Sequence, residues 1–260
     1  MYQTQSLWNT RQHPKVYSAF AQIWGTEDLW VSNDRASMIP PTREDKPDWD
    51  YDGFMHWDTD VRSSEVKFAV QGVLYLEDTP ANAGGFQCIP GFVRRYEDWH
   101  KGLMNELRIE QRKGEGEKLS SKDILRKVYG ALAGLQETEG RSIPGKRGSL
   151  LIWHSFLAHG NCRNLSANPR LAQYITMFPS PSAAQEAGGR YTTEGGDPGD
   201  TNLIAQTAQK ERENRIAAWQ RTDSKGGVMG SAPGDAREDA YEAKLPAASL
   251  TPLGQKLLYG

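Results

Sequence analysis

Cysteine is nearly absent from this chain of 260 residues, which has two, Cys88 and Cys162. Neither has the paired spacing of a zinc site or the density of a disulfide framework, so free thiols are expected. Long apolar runs are missing too. No stretch approaches the ~20 apolar residues of a spanning helix, and the start of the chain shows no basic region leading into an apolar one, so the expectation is a cytoplasmic protein with no membrane partner. Charge of one sign is not in excess either. The formal net charge is −2, with no clustered basic face and no nucleic-acid motif, which argues against a nucleic-acid partner. No internal repeat is visible. What remains is 37% hydrophobic residues, enough for one substantial core of an ordinary β-rich domain.

The chemistry is concentrated in two places. The first is Gly53-Phe54-Met55-His56-Trp57-Asp58-Thr59-Asp60. Alternate residues of an extended strand point to one side, so His56 and Asp58 can converge on an ion while Trp57 faces away. A His-x-Asp tripeptide occurs by chance in many chains, and a lone histidine is more often structural than a ligand, so a third donor must come from elsewhere. The second place supplies two candidates, His154 and His159, after the short apolar run Gly148 to Trp153, which reads as a buried strand. His154, at the end of that strand, has a hydrogen-bonded structural reading. His159 opens the next segment and is preferred. Two imidazoles and one carboxylate on one face of a metal leave the opposite positions open, as non-haem Fe(II) oxygenases require. Arg170, at the head of the apolar strand Leu171 to Phe178, could equally be a surface residue, but it offers a bidentate fork for a carboxylate and supports His159 over His154.

The run Gly148 to Arg170 resembles the distal-histidine and arginine segment of the phytanoyl-CoA dioxygenase family of Fe(II)/2-oxoglutarate oxygenases. Leu29 to Arg35 is similar to that family's early strand, His56-Trp57-Asp58 to its first two ligands, and Gly72 to Gly91 to its central hairpin, ending in Pro90-Gly91. The likeness covers roughly residues 1 to 180. It implies a mainly β fold with flanking helices, the double-stranded β-helix or jelly roll, and His56, Asp58 and His159 as iron ligands. It further implies Arg170 as the anchor for the distal carboxylate of 2-oxoglutarate. Where the family often has a small hydroxyl residue beside that anchor, this chain has Asn161, read as a second co-substrate residue. Dioxygen and a small-molecule substrate complete the expected partners. Succinate and carbon dioxide would be the co-products of a C–H oxidation, by default a hydroxylation, with natural products of secondary metabolism among the possible substrates. A jelly-roll metalloprotein with non-oxidative chemistry and a non-catalytic binding protein are the alternatives.

The rest of the chain is read as support. Val16, Phe20 and Ile23 recur at helical spacing between Pro14 and Gly25. Val66 to Leu76 reads as the strongest strand, with Gln71 central on its second face, where it either meets solvent or, as the resemblance implies, points into the barrel mouth beside the co-substrate. Pro80 to Gly85 is its hairpin loop. Residues 93–147 look like an insertion, charged at first and then helical, with Ser120 or Ser121 capping a helix that carries Ile124, Val128, Leu132 and Leu135. That helix is expected on the outside of the sheet. Residues 180–260 read as peripheral loops and helices added to a single domain spanning 1–260, with Ala183 to Arg190 and Glu194 to Asp200 loop-like, Leu203 to Trp219 helical, Asp223 to Asp239 rich in glycine, and Leu250 to Leu258 docked back. Arg35, Met55, Trp57 and Arg94 are the candidate substrate contacts, although for Arg94 a structural place on the surface is the preferred reading.

Overall fold

The computed structural model describes residues 2–50, 53–62, 66, 68–113, 120–186, 201–220, 240–241 and 243–260. Helices α1 (Gln5–Arg11) and α2 (Pro14–Trp24) precede strands β1 (Leu29–Val31), β2 (Ala36–Ile39), β3 (Val70–Tyr75) and β4 (Phe86–Cys88). Helices α3 (Tyr96–Lys113) and α4 (Ser121–Glu139) follow, then strands β5 (Arg141–Ser142), β6 (Leu150–His154), β7 (His159–Asn161), β8 (Arg170–Tyr174) and β9 (Met177–Pro179). The last elements among the described residues are α5 (Pro181–Glu186), α6 (Thr201–Gln220) and α7 (Pro252–Tyr259). The expected glycine-rich segments Glu194 to Asp200 and Asp223 to Asp239 lie outside the described residues. Ala183 to Glu186, read as loop, belongs to α5.

The chain forms two compact units. The first comprises Met1–Ser37, Val70–Leu74 and Ala172–Gly260. Its helix α2 starts and stops as its sequence dictates. Pro14 occupies the first turn, where a missing N–H costs nothing, and His13 Nδ1 accepts the Lys15 N–H at 3.2 Å. Gly25 closes the helix with φ of 68°. Val16 and Phe20 are buried but Ile23 is exposed, so the apolar stripe is narrower than its spacing implied. Strand β1 pairs antiparallel with β9, and α7 packs on β1 and on α6. Arg215 of α6 is fully buried there. Its guanidinium lies over the Trp30 ring and donates to the carbonyls of Leu257, Leu258 and Val31. Burial pushes its pKa down to about 10. The long strand expected over Val66 to Leu76 is shorter, Val70–Tyr75, and buried everywhere except Gln71. Both faces are packed, so no polar face exists, and Phe68, just before the strand, is exposed.

The second unit comprises Met38–Ala69 and Tyr75–Leu171. Its antiparallel sheet has the order β5-β4-β7, with Cys88 opposite His159 and Phe86 opposite Asn161. The charged start of residues 93–147, expected to precede the helix, is itself helix α3. Helix α4 begins in a reciprocal cap, in which the Ser120 hydroxyl accepts the Asp123 N–H at 3.2 Å and the Asp123 carboxylate accepts the Ser120 N–H at 3.3 Å. Val128 and Leu132, one turn apart, are buried. They join Ile89, Phe92, Tyr96, Leu103, Phe156, Met55, Trp57 and Val61 in one apolar cluster. The helices therefore close over the segment carrying the His-x-Asp pair. Lys127 of α4 ties back to Glu106 and Glu110 of α3 at 3.3 and 3.2 Å.

Candidate metal centre

Residues 53–58 were expected to form a regular strand, and the structure gives them a single antiparallel bridge, His56 to His159. The His56 N–H donates to the His159 carbonyl at 2.8 Å, and the His159 N–H returns to the His56 carbonyl at 3.1 Å. Directly paired residues put their side chains on the same side of the ladder, so the two imidazoles stand together, ring centres 4.7 Å apart. Asp58, two residues beyond His56, falls on that same side. Its carboxylate oxygens lie 3.5 Å from His56 Nε2 and 3.5 Å from His159 Nε2. All three donor atoms lie within 4.8 Å of one another. His159 is buried against Phe86 and Trp153, whereas Asp58 is 51% exposed, so the cluster opens to one side.

Two local features hold this register. Gly160 follows His159, and a Cβ there would fall 2.1 Å from the Phe54 carbonyl oxygen. Gly53 has φ of 68°, and a Cβ on it would fall 2.4 Å from the Asn161 carbonyl oxygen. The backbones of the two ligand segments thus approach to a distance only glycine permits. The His159 Nδ1–H donates to the Leu157 carbonyl at 2.9 Å. That bond places the lone pair of the neutral ring on Nε2, facing the other donors.

His154 lies outside the cluster. Its Nδ1 accepts the Phe156 N–H at 3.1 Å, a turn-forming role, and burial lowers its pKa below 6.5.

Arg170 is 2% exposed. Its Nε donates to the Gly84 carbonyl at 3.1 Å, and its Nη2 donates to Asn161 Oδ1. Asn161 and His159 are two residues apart on β7 and face the same way, which puts the guanidinium on the side of that strand that carries the His159 ring. Its Nη1 is buried with no hydrogen-bond partner. The Gly84 carbonyl is presented by the hairpin loop Pro80 to Gly85, where Gly84 adopts φ of 71°.

The four candidate substrate contacts fare differently. Met55 and Trp57 are 3% and 5% exposed, on the side of their segment opposite His56 and Asp58. The Trp57 indole donates to the Phe156 carbonyl at 3.0 Å and packs among Phe92, Tyr96, Trp99 and Tyr129. Both residues are core, not metal-side contacts, because neighbours in sequence on an extended chain are opposed in space. The residue missed is Phe54, which the same alternation places beside His56, ring centres 5.0 Å apart, and which is 57% exposed. Arg94 is exposed on the turn Phe92–Arg95, while Arg95 pairs with Glu139. Arg35 and Gln71 belong to the first unit, the former exposed with its carbonyl accepting the Tyr174 N–H, the latter half-buried on β3. Cys88 and Cys162 are free thiols, and burial raises the Cys88 pKa to about 11.

Two imidazoles and a carboxylate within 4.8 Å of one another could hold a metal ion. The chain belongs to the phytanoyl-CoA dioxygenase family, whose model matches residues 3–172. That family consists of non-haem iron, 2-oxoglutarate-dependent oxygenases, and its cupin-like jelly roll agrees with the antiparallel sheets and flanking helices seen here. A putative phytanoyl-CoA dioxygenase of Dictyostelium discoideum is 25% identical over 211 residues, covering 69% of this chain and 55% of that protein. The Ava biosynthesis cluster protein O of Aspergillus versicolor is 29% identical over 190 residues, covering 70% and 57%. The chain thus spans little more than half the length of these relatives. Among solved structures it is similar to the epimerase SnoN in complex with Fe3+, alpha ketoglutarate and nogalamycin RO, with 14% identity, a TM-score of 0.44 and coverage of 75% of this chain and 68% of that one. No helix among the described residues is long and apolar enough to cross a membrane.

Proposed function

We propose that this protein is an Fe(II)- and 2-oxoglutarate-dependent dioxygenase that oxidises, by default hydroxylates, a C–H bond of a small organic molecule. The observation that carries the reading is the buried Arg170 Nη1, without a partner and on the same side of β7 as the donor cluster. A buried guanidinium nitrogen left without an acceptor is costly unless a ligand supplies one, and a carboxylate is the acceptor that matches its fork. His56, Asp58 and His159 would hold the metal, and Arg170, positioned by Asn161 and the Gly84 carbonyl, would hold the far carboxylate of 2-oxoglutarate. Iron and 2-oxoglutarate, if bound there, would supply the oxidising power, with dioxygen as oxidant and succinate and carbon dioxide as the expected co-products. The chain's own contribution is positional. The Leu157 carbonyl, accepting from His159 Nδ1, turns Nε2 toward the other donors, and the paired backbones of His56 and His159 keep two donors side by side.

Phe54 would border the substrate. A phenyl ring 57% exposed on a backbone pinned against Gly160 presents an ordered apolar surface at the lip of the cluster. A substrate with a flat or apolar face near the reacting carbon fits it, and the membership of one relative in a biosynthesis cluster supports a natural-product type of compound.

The test is succinate release from 2-oxoglutarate by the purified protein loaded with Fe(II), scored over a panel of such compounds. His56→Ala, Asp58→Ala and His159→Ala are each expected to abolish it. Full activity in His159→Ala, or none in the native protein with iron and 2-oxoglutarate bound, would overturn the reading.

A further inference from the structure

Among the described residues, the segment that carries His56 and Asp58 has the sheet on one edge, through the bridge to His159. On its other edge there is a side chain. Gln136 of α4 accepts the Met55 N–H on Oε1 at 3.1 Å and donates from Nε2 to the Gly53 carbonyl at 3.4 Å. An N–H and a C=O two residues apart, met by one acceptor and one donor, are the pairing that a neighbouring strand would provide. Beyond Asp58 the segment is anchored again, because the Val61 carbonyl accepts from His100 Nε2 at 2.9 Å and from the Tyr96 hydroxyl at 3.4 Å, both on α3. The two metal-side residues therefore lie between anchors that come from the helical insertion and not from the sheet.

We infer that Gln136 is a positioning residue for the metal centre. Its amide substitutes for a missing strand, fixes residues 53–55 in extended form, and so sets where His56 and Asp58 meet His159. It touches neither metal nor substrate. A purely structural role, holding α4 against the sheet, would lower the stability of the fold without altering the donor geometry of protein that remains folded. The inference rests on the reading of His56, Asp58 and His159 as ligands, so the experiment separates the two.

Co(II) is titrated into the metal-free full chain, following its ligand-field absorption, for the native protein and for Gln136→Leu, Gln136→Glu and His159→Ala. Leucine keeps the packing and removes both bonds, and glutamate keeps the acceptor for the Met55 N–H. Gln136→Leu is expected to weaken Co(II) binding about tenfold or more, the range seen when an outer-shell partner of a metal ligand is lost. Its absorption bands are expected to shift and its Met55 and His56 amides to exchange hydrogen faster, while the melting temperature of the metal-free protein changes little. Gln136→Glu is expected to recover most of the affinity. Unchanged Co(II) affinity and spectrum in folded Gln136→Leu would overturn the inference, as would a weakening fully matched by loss of the metal-free fold. Should Gln136→Leu not fold, Gln136→Asn, too short to meet both backbone groups, takes its place, and native Co(II) affinity and spectrum in that variant overturn the inference as well. Co(II) binding that His159→Ala leaves untouched sinks the ligand reading itself; dependence on His159 without dependence on Gln136 sinks only this inference.

Discussion

At the scale of single residues, the convergence of His56, Asp58 and His159 was legible because it rests on alternation, a rule that holds wherever a chain is extended. The same rule, applied to all of Gly53 to Asp58, would have found Phe54 and set aside Met55 and Trp57, whose aromatic and sulfur chemistry suggested the pocket while their parity pointed to the core. Three outcomes are expected here. Arg170→Ala should raise the 2-oxoglutarate requirement by the equivalent of about 2–5 kcal/mol, since it removes one partner of a buried charge pair, with Fe(II) affinity nearly unchanged. Separate titrations of metal and co-substrate check this, and equal losses in both would place Arg170 in the fold. Gly160→Ala should cost about 1–3 kcal/mol of stability and weaken metal binding, because the new Cβ meets the Phe54 carbonyl, which is backbone and cannot swing aside. Thermal melts and metal titration together report it. Phe54→Ala should leave metal binding and substrate-independent 2-oxoglutarate turnover near native levels while lowering substrate-coupled turnover. A parallel fall in both assays would mean that Phe54 acts on the metal centre and not on substrate.

Elements were legible where end signals and periodicity agree. Pro14 and Gly25 bracket α2, and the Ser120 cap with Ile124, Val128, Leu132 and Leu135 marks α4. Helix α3 was half hidden, since Tyr96 to Lys113 is dense in charge and its buried residues, Tyr96, His100 and Leu103, fall at helical spacing among exposed ones. What the sequence did not disclose is what the helices pack against. Periodicity gives an element a buried face but not the identity of its neighbour, so an outer cover for the sheet was the natural expectation for a pair that in fact closes over Met55 and Trp57. The cap offers a measurement at this scale. Ser120→Ala removes the acceptor for the Asp123 N–H and should cost about 1 kcal/mol in denaturant unfolding. If α4 positions the ligand segment, the same variant should also show faster hydrogen exchange at Met55. An effect on α4 amides alone would mean that fraying of the first turn is not transmitted to Gln136, sixteen residues on.

For the whole molecule, the joining of Met1–Ser37, Val70–Leu74 and Ala172–Gly260 into one compact unit has no local signature, because it depends on strand pairing across more than a hundred residues. The response to acid can nonetheless be derived. The net charge is −2, so general self-repulsion changes little near neutrality, and the dependence falls to particular groups. Burial lowers the pKa of His100 and of His154 below their ordinary 6.5. Each has a reason to refuse a proton: His100 Nδ1 is buried without an acceptor, and His154 Nδ1 is already accepting the Phe156 N–H. An unfolded chain takes up those protons as pH falls through 6.5, while the folded chain does not, so stability is full above 6.5 and declines as pH drops toward the folded pKa values. A second, weaker decline follows below the carboxylate range, where Asp60, held down to about 2 first of all by its hydrogen bond to Arg62, is protonated in the unfolded chain before the folded one. That pair is exposed, so its contribution is small. Urea unfolding of the metal-free protein, with chelator present so that metal release plays no part, should therefore lose stability between pH 7.5 and 5.5. His100→Asn should start less stable, having given up the bond to the Val61 carbonyl, but with a flatter slope. A native protein equally stable across that interval, or a variant with an unchanged slope, would show that His100 takes up its proton in the folded state, and the anchor it provides beyond Asp58 would then have to hold as an imidazolium.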